Sequence, residues 1–459
     1  MIFSSIPFLY CFLPAVILLY FAVPGRGKNV VLLLASLVFY AWGELRYTLL
    51  MLVMITQGYV FGRLIDSKRR WSKVFLATSV VISLGVLGYF KYVGFFLESF
   101  GAVTGLAVPV LKVTLPIGIS FYTFQVISYV IDVYRKTVAA QRSYIDMAMY
   151  ISMFPQLIAG PIVRYSDIEG ELHVRKHSAE KTACGIRRFI IGLSKKVLIA
   201  NQLGELIDAY AGASQPSVLF VWLYAIACTL QIYFDFSGYS DMAIGLGRML
   251  GFHFGENFEY PYISRSITEF WRRWHISLST FFRDYVYIPL GGNRYHAIRN
   301  IFIVWLLTGL WHGASWNFIF WGLFYGVLLF IEKTLFKKKL QKIPAPICYI
   351  YTMFFIILGW ALFYFTDLNA LWTFIKSAFG VGTALYDLTA VSTFCTNAWL
   401  IAVCVIASTP IPTIINKNFC KKSKVFAAIS EPILVIVGLG VCFVLLVGQT
   451  YNPFLYFRF

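Results

Sequence analysis

The chain has 459 residues, of which 59% are hydrophobic and only 13% are charged. Soluble globular domains carry about 25% charged residues, so this composition excludes a soluble domain and predicts a polytopic membrane protein. The basic residues behind the net charge of +18 sit in short loops between apolar runs, such as residues 67–73 and 337–342. That distribution is typical of cytoplasmic loops and argues against nucleic acid as a partner.

Apolar runs of about 20 residues, long enough to cross a bilayer, recur along the whole chain. The first run has no basic leader and no cleavage site, so we interpret it as a retained membrane segment. Because basic loops face the cytoplasm, the order of helices puts both chain ends outside the cell membrane. We predict one all-α domain over residues 1–459 with about eleven spans, at 5–23, 29–47, 48–65, 74–95, 114–132, 217–236, 298–316, 317–333, 346–366, 395–413 and 431–448.

The pattern changes between residues 143 and 300, where the apolar stretches are short and contain Pro and Gly. Irregular backbone at membrane depth is tolerated only inside protein or along a cavity. We therefore predict re-entrant and interfacial segments there, with a Gly-centred break at 236–241. Asp235 and Asp241 flank that break and suit either acid–base chemistry or, more commonly, pairing with arginines.

His312 is the sharpest candidate for chemistry. It lies thirteen residues after Arg299 with no charge between them, which in a helix is about 20 Å and places it near mid-bilayer. A buried neutral imidazole can act as a general base, or it can bridge two helices structurally. Gly309 and Gly313 are small enough to let another backbone or a substrate come close.

A second candidate, His275, lies within residues 265–292. Apolar residues recur there at spacings of three and four, which predicts one amphipathic interfacial helix. His275 borders this stripe, and a general base, a substrate contact and a structural hydrogen bond all remain open to it. The stripe consists of Ile267, Phe270, Trp271, Trp274, Leu278, Phe281 and Tyr285.

The cysteines and histidines do not predict a metal site. The eight cysteines are scattered without a CxxC pair, and the six histidines lack metal-ligand spacing. We predict neither a disulfide framework nor a bound metal or cofactor.

Four sequence blocks resemble the signature of the membrane-bound O-acyltransferase superfamily. The resemblance is to its bacterial alginate and peptidoglycan O-acetyltransferase branch, with D-alanyl-lipoteichoic-acid proteins as near relatives. It covers nearly the whole chain, with small departures at Phe281 and Tyr325. The blocks are FPQLIAGPIVRY (154–165), YFDFSGYSDMAIGLGRMLGF (233–252), NFEYPYISRSITEFWRRWHISLSTFFRDYVYIPLGGNR (257–294) and GLWHGASWNFIFWG (309–322).

The resemblance implies a helical fold with a funnel on each side of a thin central layer, in a bacterial cell membrane. His312 matches the superfamily's essential histidine, and His275 matches its usual second polar partner. An acyl donor, acetyl-CoA or an acyl carrier, is expected from the cytoplasm. An extracytoplasmic SGNH-type transferase is the expected partner, and a polysaccharide is the expected acceptor.

The last residues, 452–459, read NPFLYFRF. This tail is similar to the end of a small separate peptide of the D-alanylation system, which is thought to carry the acyl group outward. We expect Tyr456 to carry the acyl group in this chain, with an aromatic membrane anchor as the alternative. Our predicted substrate-binding residues are Trp311, Trp274, Arg283 and Arg458.

The resulting hypothesis is an O-acetyltransferase that uses His312, His275 and Tyr456 as catalytic groups. Three alternatives stay open at this point. One is a D-alanyl transferase with a carrier-protein donor, and another transfers acyl groups directly to a lipid. The third belongs to a different class, a transporter with buried polar gates.

Overall fold

The computed structural model describes residues 1–108, 111, 113–158, 160–211, 217–336, 342–448 and 454. These residues form helices and loops, and no strand occurs among them, which confirms the all-α class. The α-helices are α1 Leu13–Ala22, α2 Lys28–Ser67, α3 Ser72–Thr104, α4 Ile119–Arg135, α5 Tyr144–Ser152, α6 Phe154–Leu157, α7 Tyr165–His173, α8 Ala179–Ser194, α9 Asn201–Ala211, α10 Val218–Met249, α11 Ile267–Arg273, α12 Ile276–Phe282, α13 Ala297–His312, α14 Trp316–Thr334, α15 Ala345–Tyr364, α16 Leu368–Ala378, α17 Leu388–Ala407, α18 Ile411–Lys422 and α19 Lys424–Gly448.

Several helices have the length and composition of membrane spans. Within the described ranges there are six, at Lys28–Ser67, Arg69–Thr104, Val218–Met249, Ala345–Tyr364, Leu388–Ala407 and Ala428–Gly448. They confirm the multi-pass membrane character, whereas the count of eleven spans stays a prediction. Two predicted spans, 29–47 and 48–65, fall within α2, whose helical backbone is interrupted at Glu44 (φ −148°, ψ 71°).

The described backbone divides into two compact units. The first comprises Met1–Phe189 and Tyr239–Gly255, and the second comprises Ile190–Gly238 and Glu256–Phe459. Both histidines singled out in the sequence belong to the second unit. The expectation of one integrated domain stays a prediction.

In the first unit, the Arg188 guanidinium lies 2.6 Å from the Asp241 carboxylate. This agrees with the expectation that Asp241 pairs with an arginine. Arg188 lies on α8 and Asp241 on α10, so this salt bridge stabilises the packing of the two helices.

The predicted break at 236–241 was wrong, because α10 runs without interruption from Val218 to Met249. Gly238 serves close packing instead. A Cβ atom at Gly238 would lie 2.8 Å from the carbonyl oxygen of Gly192 and 3.1 Å from Cβ of Lys195. The glycine that resembled a helix breaker is thus the place where another backbone approaches the helix.

Asp235 has a lysine partner rather than the expected arginine. Nζ of Lys196 lies 2.6 Å from Oδ1 of Asp235, and the two side chains are 6% and 2% exposed. The pair belongs to the second unit and lies in the interior. Removing one member of such a pair leaves a buried charge without its counter-charge.

We therefore expect Asp235→Asn to destabilise the protein by about 3–5 kcal/mol. Thermal unfolding of the purified enzyme in detergent would measure this as a lowered Tm. The matched control is Asp284→Asn, which breaks the Arg283–Asp284 pair, whose arginine side chain is 59% exposed. An exposed pair contributes about 1 kcal/mol or less, so an equal loss of Tm in both variants would contradict the prediction.

Candidate active site

The segment 265–292 does not form the single helix that its apolar stripe predicts. Helix α11 ends at Arg273 and α12 begins at Ile276. Between them Trp274 is extended and His275 adopts the left-handed conformation (φ 43°, ψ 56°). Both side chains at the break are buried, at 3% and 1% exposure.

A residue that sequence reasoning missed anchors the start of α11. The Glu332 carboxylate, on α14 and 4% exposed, accepts hydrogen bonds from the backbone N–H of Ile267 (2.7 Å) and Thr268 (2.8 Å). These are donors that a helix N-terminus leaves unsatisfied. Glu332 is the one acidic residue between 297 and 334, and a carboxylate isolated in an apolar run was the signal available.

The His275 side chain is held between polar and aromatic groups. Its Nδ1 lies 3.1 Å from Oδ1 of Asn257. The ring of Phe236 meets the imidazole edge to face at a centroid distance of 4.7 Å, and the Trp311 ring lies 6.0 Å away. His275 lies outside the helices long enough to span a membrane, and burial lowers its pKa, which keeps the imidazole neutral at neutral pH.

His312 is the last residue of α13 and is 7% exposed. The helix ends there because Gly313 continues in an extended conformation (φ −167°, ψ 162°). Aromatic rings enclose the imidazole, with those of Trp311, Trp321 and Phe363 at centroid distances of 5.1, 5.0 and 5.1 Å. An imidazole in such surroundings is shielded from solvent.

Close packing of α13 against α14 sets the position of His312. A Cβ atom at Gly309 would overlap the carbonyl oxygen of Phe318 and lie 3.4 Å from Cα of Gly322. This agrees with the expectation that Gly309 lets a neighbouring backbone come close. At Gly313 the space is taken by the side chain of Phe318.

The structure brings four of the predicted site residues into one aromatic cluster. Trp311 links the two histidines, since its ring contacts both. Trp274 joins the same cluster through Trp360, at a centroid distance of 4.7 Å. Arg283 differs, because its hydrogen bonds, of 2.6 and 3.1 Å, go to the adjacent Asp284.

The C-terminal tail touches this cluster through one described residue. Phe454 is 4% exposed, and its ring lies 5.7 Å from that of Phe236, the ring that contacts His275. Tyr456 and Arg458 lie outside the described residues. Their assigned roles therefore remain predictions.

The cluster contains further polar atoms that the sequence did not reveal. The indole nitrogens of Trp271 and Trp321 and the hydroxyl of Tyr325 are buried and meet no acceptor among the described residues. Their rings lie 4.8–5.4 Å apart. Within the described ranges, no group of three or more His, Cys, Asp and Glu side chains could hold a metal ion.

Comparison with known proteins identifies the family of this chain. The model of MBOAT, the membrane-bound O-acyltransferase family, matches residues 136–375. The probable alginate O-acetylase AlgI of Azotobacter vinelandii is 46% identical over 396 residues, covering 83% of this chain and 79% of that protein. The peptidoglycan O-acetyltransferase of Helicobacter pylori is 33% identical over 431 residues, covering 84% and 82%.

A more distant similarity is to the teichoic acid D-alanyltransferase of Bacillus subtilis, 30% identical over 275 residues that cover 54% of this chain and 68% of that protein. The matched family region spans more than half of the chain and contains both buried histidines. From these matches and the apolar helices, the chain belongs to the membrane-bound O-acyltransferase family and is a multi-pass membrane O-acetyltransferase.

Proposed function

We propose that this enzyme transfers an acetyl group from cytoplasmic acetyl-CoA to Tyr456 of its own tail, and from there to a polysaccharide outside the membrane. The observation that carries the proposal is the position of Phe454. Its ring packs on Phe236, and the Phe236 ring packs on His275. Phe454, the described residue of the tail, therefore packs against the cluster that holds the candidate catalytic groups.

Chain geometry supports the same assignment. Tyr456 follows Phe454 by two residues, and a chain of two residues spans at most about 7 Å. The buried position of Phe454 thus limits how far the tyrosine can lie from the histidines. In this proposal the phenylalanines of the tail anchor it in an apolar funnel, and Arg458 binds at the rim.

The chemistry uses His312 as a general base. His312 takes the phenol proton of Tyr456, and the phenolate oxygen attacks the thioester carbonyl carbon. The C–S bond then breaks, and the imidazolium returns the proton to the departing thiolate. The products are acetyl-tyrosine and free CoA thiol, and general-base assistance of this kind contributes about 10²–10⁴-fold.

Onward transfer completes the relay. The acetyl-tyrosine is an activated ester, because a phenol is a better leaving group than a sugar hydroxyl. A serine of an extracytoplasmic SGNH-type transferase would attack the ester carbonyl, release the tyrosine and pass the group to the acceptor. Splitting one step into two easier ones is covalent catalysis. The names of the A. vinelandii and H. pylori relatives refer to alginate and peptidoglycan, which supports a polysaccharide acceptor.

A D-alanyl group delivered by a carrier protein is the second candidate, because the B. subtilis relative is a D-alanyltransferase. Its alignment covers only 54% of this chain, whereas the acetyltransferase alignments cover more than four fifths. The fused tail also argues against a separate relay peptide. Direct transfer to a lipid would leave the tail without a role, and family membership argues against a transporter.

Intact-protein mass spectrometry tests the proposal. Purified enzyme incubated with acetyl-CoA, without the external transferase, is expected to gain one acetyl group on Tyr456. The Tyr451→Phe variant is the matched control and should keep the adduct. A D-alanyl mass formed with an acyl-carrier donor would select the second candidate, and no adduct with either donor would overturn the relay.

A further inference from the structure

We infer that Asn257 is the positioning residue that holds the His275 imidazole as its Nδ1–H tautomer and leaves Nε2 to accept a proton. The inference deepens the proposed function and rests on it only in taking His275 as a second catalytic group beside the general base His312. The tautomer itself follows from the hydrogen bonds around Asn257.

The orientation of the Asn257 amide is set by a group that can only donate. The backbone N–H of Ser277 lies 3.2 Å from Oδ1 of Asn257, and the Ser277 hydroxyl donates to the same oxygen at 2.9 Å. With the amide flipped, an NH₂ group would face a backbone N–H. The oxygen therefore occupies this position.

The orientation of the amide determines the state of the histidine. An amide oxygen can only accept, so Nδ1 of His275, 3.1 Å from Oδ1, carries the proton and donates it. In a neutral imidazole the other nitrogen is then an acceptor. The Ser277 hydroxyl is also 3.4 Å from Nδ1, but its shorter bond goes to Asn257.

Asn257 also holds the backbone of His275 in place. Its carbonyl oxygen accepts the backbone N–H of Ile276 at 3.0 Å, directly after the residue with positive φ. A left-handed conformation in a residue other than glycine persists only when its surroundings enforce it. One asparagine thus orients both the ring and the main chain at the junction of α11 and α12.

Two atoms are left without partners by this arrangement. Nε2 of His275 and Nδ2 of Asn257 are buried and meet no hydrogen-bonding group among the described residues, in side chains that are 1% and 0% exposed. Buried unpaired polar atoms destabilise a fold, and such exceptions call for an explanation. An acceptor kept open for a reacting molecule explains Nε2.

The tautomer decides between chemical roles for His275. A neutral ring with the proton on Nδ1 cannot donate from Nε2 to a developing carbonyl oxyanion. It can accept a hydrogen bond or a proton from the O–H, S–H or N–H of a reacting molecule. His275 is thus a proton acceptor in the cluster, whereas an oxyanion-binding role would need the opposite tautomer.

The first test measures the tautomer directly. Solid-state ¹⁵N spectra of the full-length enzyme, labelled at histidine and embedded in lipid bilayers, would be assigned by subtracting the spectrum of His275→Gln. The expected result is a protonated Nδ1 and an unprotonated Nε2 at neutral pH. A protonated Nε2 on His275 would overturn the inference whatever the enzyme's activity.

The second test asks whether Asn257 causes this state. In Asn257→Ala the Nδ1–H signature is expected to be lost from a measurable fraction of molecules, with acetyl transfer lowered by about 10- to 100-fold, since the His275 imidazole is no longer oriented as a proton acceptor. The control is Asn300→Ala, another fully buried asparagine, whose amide donates to the carbonyls of Gly292 (3.0 Å) and Tyr295 (2.8 Å). It should leave the tautomer unchanged, and an unchanged tautomer in Asn257→Ala would contradict the positioning role.

The conservative variant Asn257→Asp gives a pH readout. A carboxylate keeps the acceptor but stabilises the imidazolium, so it raises the pKa of His275. Because the neutral ring is the active form, the acid limb of the transfer rate should move to higher pH, by about 1–3 units. An unmoved acid limb would contradict the coupling between Asn257 and His275. If the wild-type enzyme shows the expected tautomer but His275→Gln keeps full activity, only the role of His275 in the proposed function is rejected.

Discussion

Tyr456→Phe is expected to abolish acetylation of the external polysaccharide, because the variant keeps the aromatic ring but loses the oxygen that would carry the acetyl group. Without that oxygen, neither half of the relay can proceed. The enzyme's abundance and Tm should stay unchanged, since a single hydroxyl in the tail is removed. Acetyl release from the polysaccharide of cells carrying the variant, relative to wild type, measures the effect.

Two further variants separate chemistry from anchoring in this experiment. Tyr451→Phe removes a hydroxyl from the same end of the chain and should retain full acetylation. Phe454→Ala removes a ring that packs on Phe236 and should weaken transfer while leaving the nucleophile in place. If Tyr456→Phe cells still acetylate their polysaccharide, the tail is an aromatic anchor and the relay is wrong.

The helical class and the burial of His312 could be predicted because both depend on local sequence. Apolar runs of bilayer length identify helices almost independently of their tertiary context. The distance of His312 from Arg299 along one helix predicts a position near mid-bilayer, which stays a prediction, and the structure buries the side chain, at 7% exposure. Gly309 was informative for the same reason, since a small residue on a helix face permits close packing wherever the partner comes from.

The junction at His275 could not be predicted, because the apolar stripe continues across it with helical spacing. The helix is broken by the backbone conformation of His275. Hydrogen bonds to Asn257, eighteen residues upstream, support this conformation, and Glu332 on α14 binds the N-terminus of α11. Such long-range hydrogen bonds leave no periodic signal. At Gly238 the sequence predicted a helix break that the structure does not have. A glycine that ends a helix and one that lets a neighbouring backbone come close cannot be told apart in sequence.

These long-range contacts also explain how the site is assembled. The two histidines are positioned by different local structures. His275 lies at a strained junction between two helices, and His312 lies at the end of a helix, before Gly313. The Trp311 ring lies against both imidazoles. A rigid aromatic core of this kind holds two polar rings at fixed positions while excluding water, which strengthens electrostatic interactions within the site.

His312→Asn is expected to reduce acetyl transfer by about 10²–10⁴-fold, the usual contribution of a general base. Asparagine keeps a polar side chain of similar reach but has no basic nitrogen to take the phenol proton. Single-turnover formation of acetyl-enzyme from acetyl-CoA in detergent isolates this step from the external transferase. The fall should appear in the rate of adduct formation at saturating acetyl-CoA, since His312 acts on the nucleophile.

A histidine at the opposite end of the same helix provides the control for that measurement. His296 precedes α13, has positive φ (49°), and its side chain is exposed. His296→Asn should leave the rate of adduct formation unchanged, because asparagine tolerates the left-handed conformation and no role in transfer is assigned there. Unaltered turnover in His312→Asn would instead make His312 a structural bridge within the aromatic cluster, and the proton of Tyr456 would then have to leave through His275.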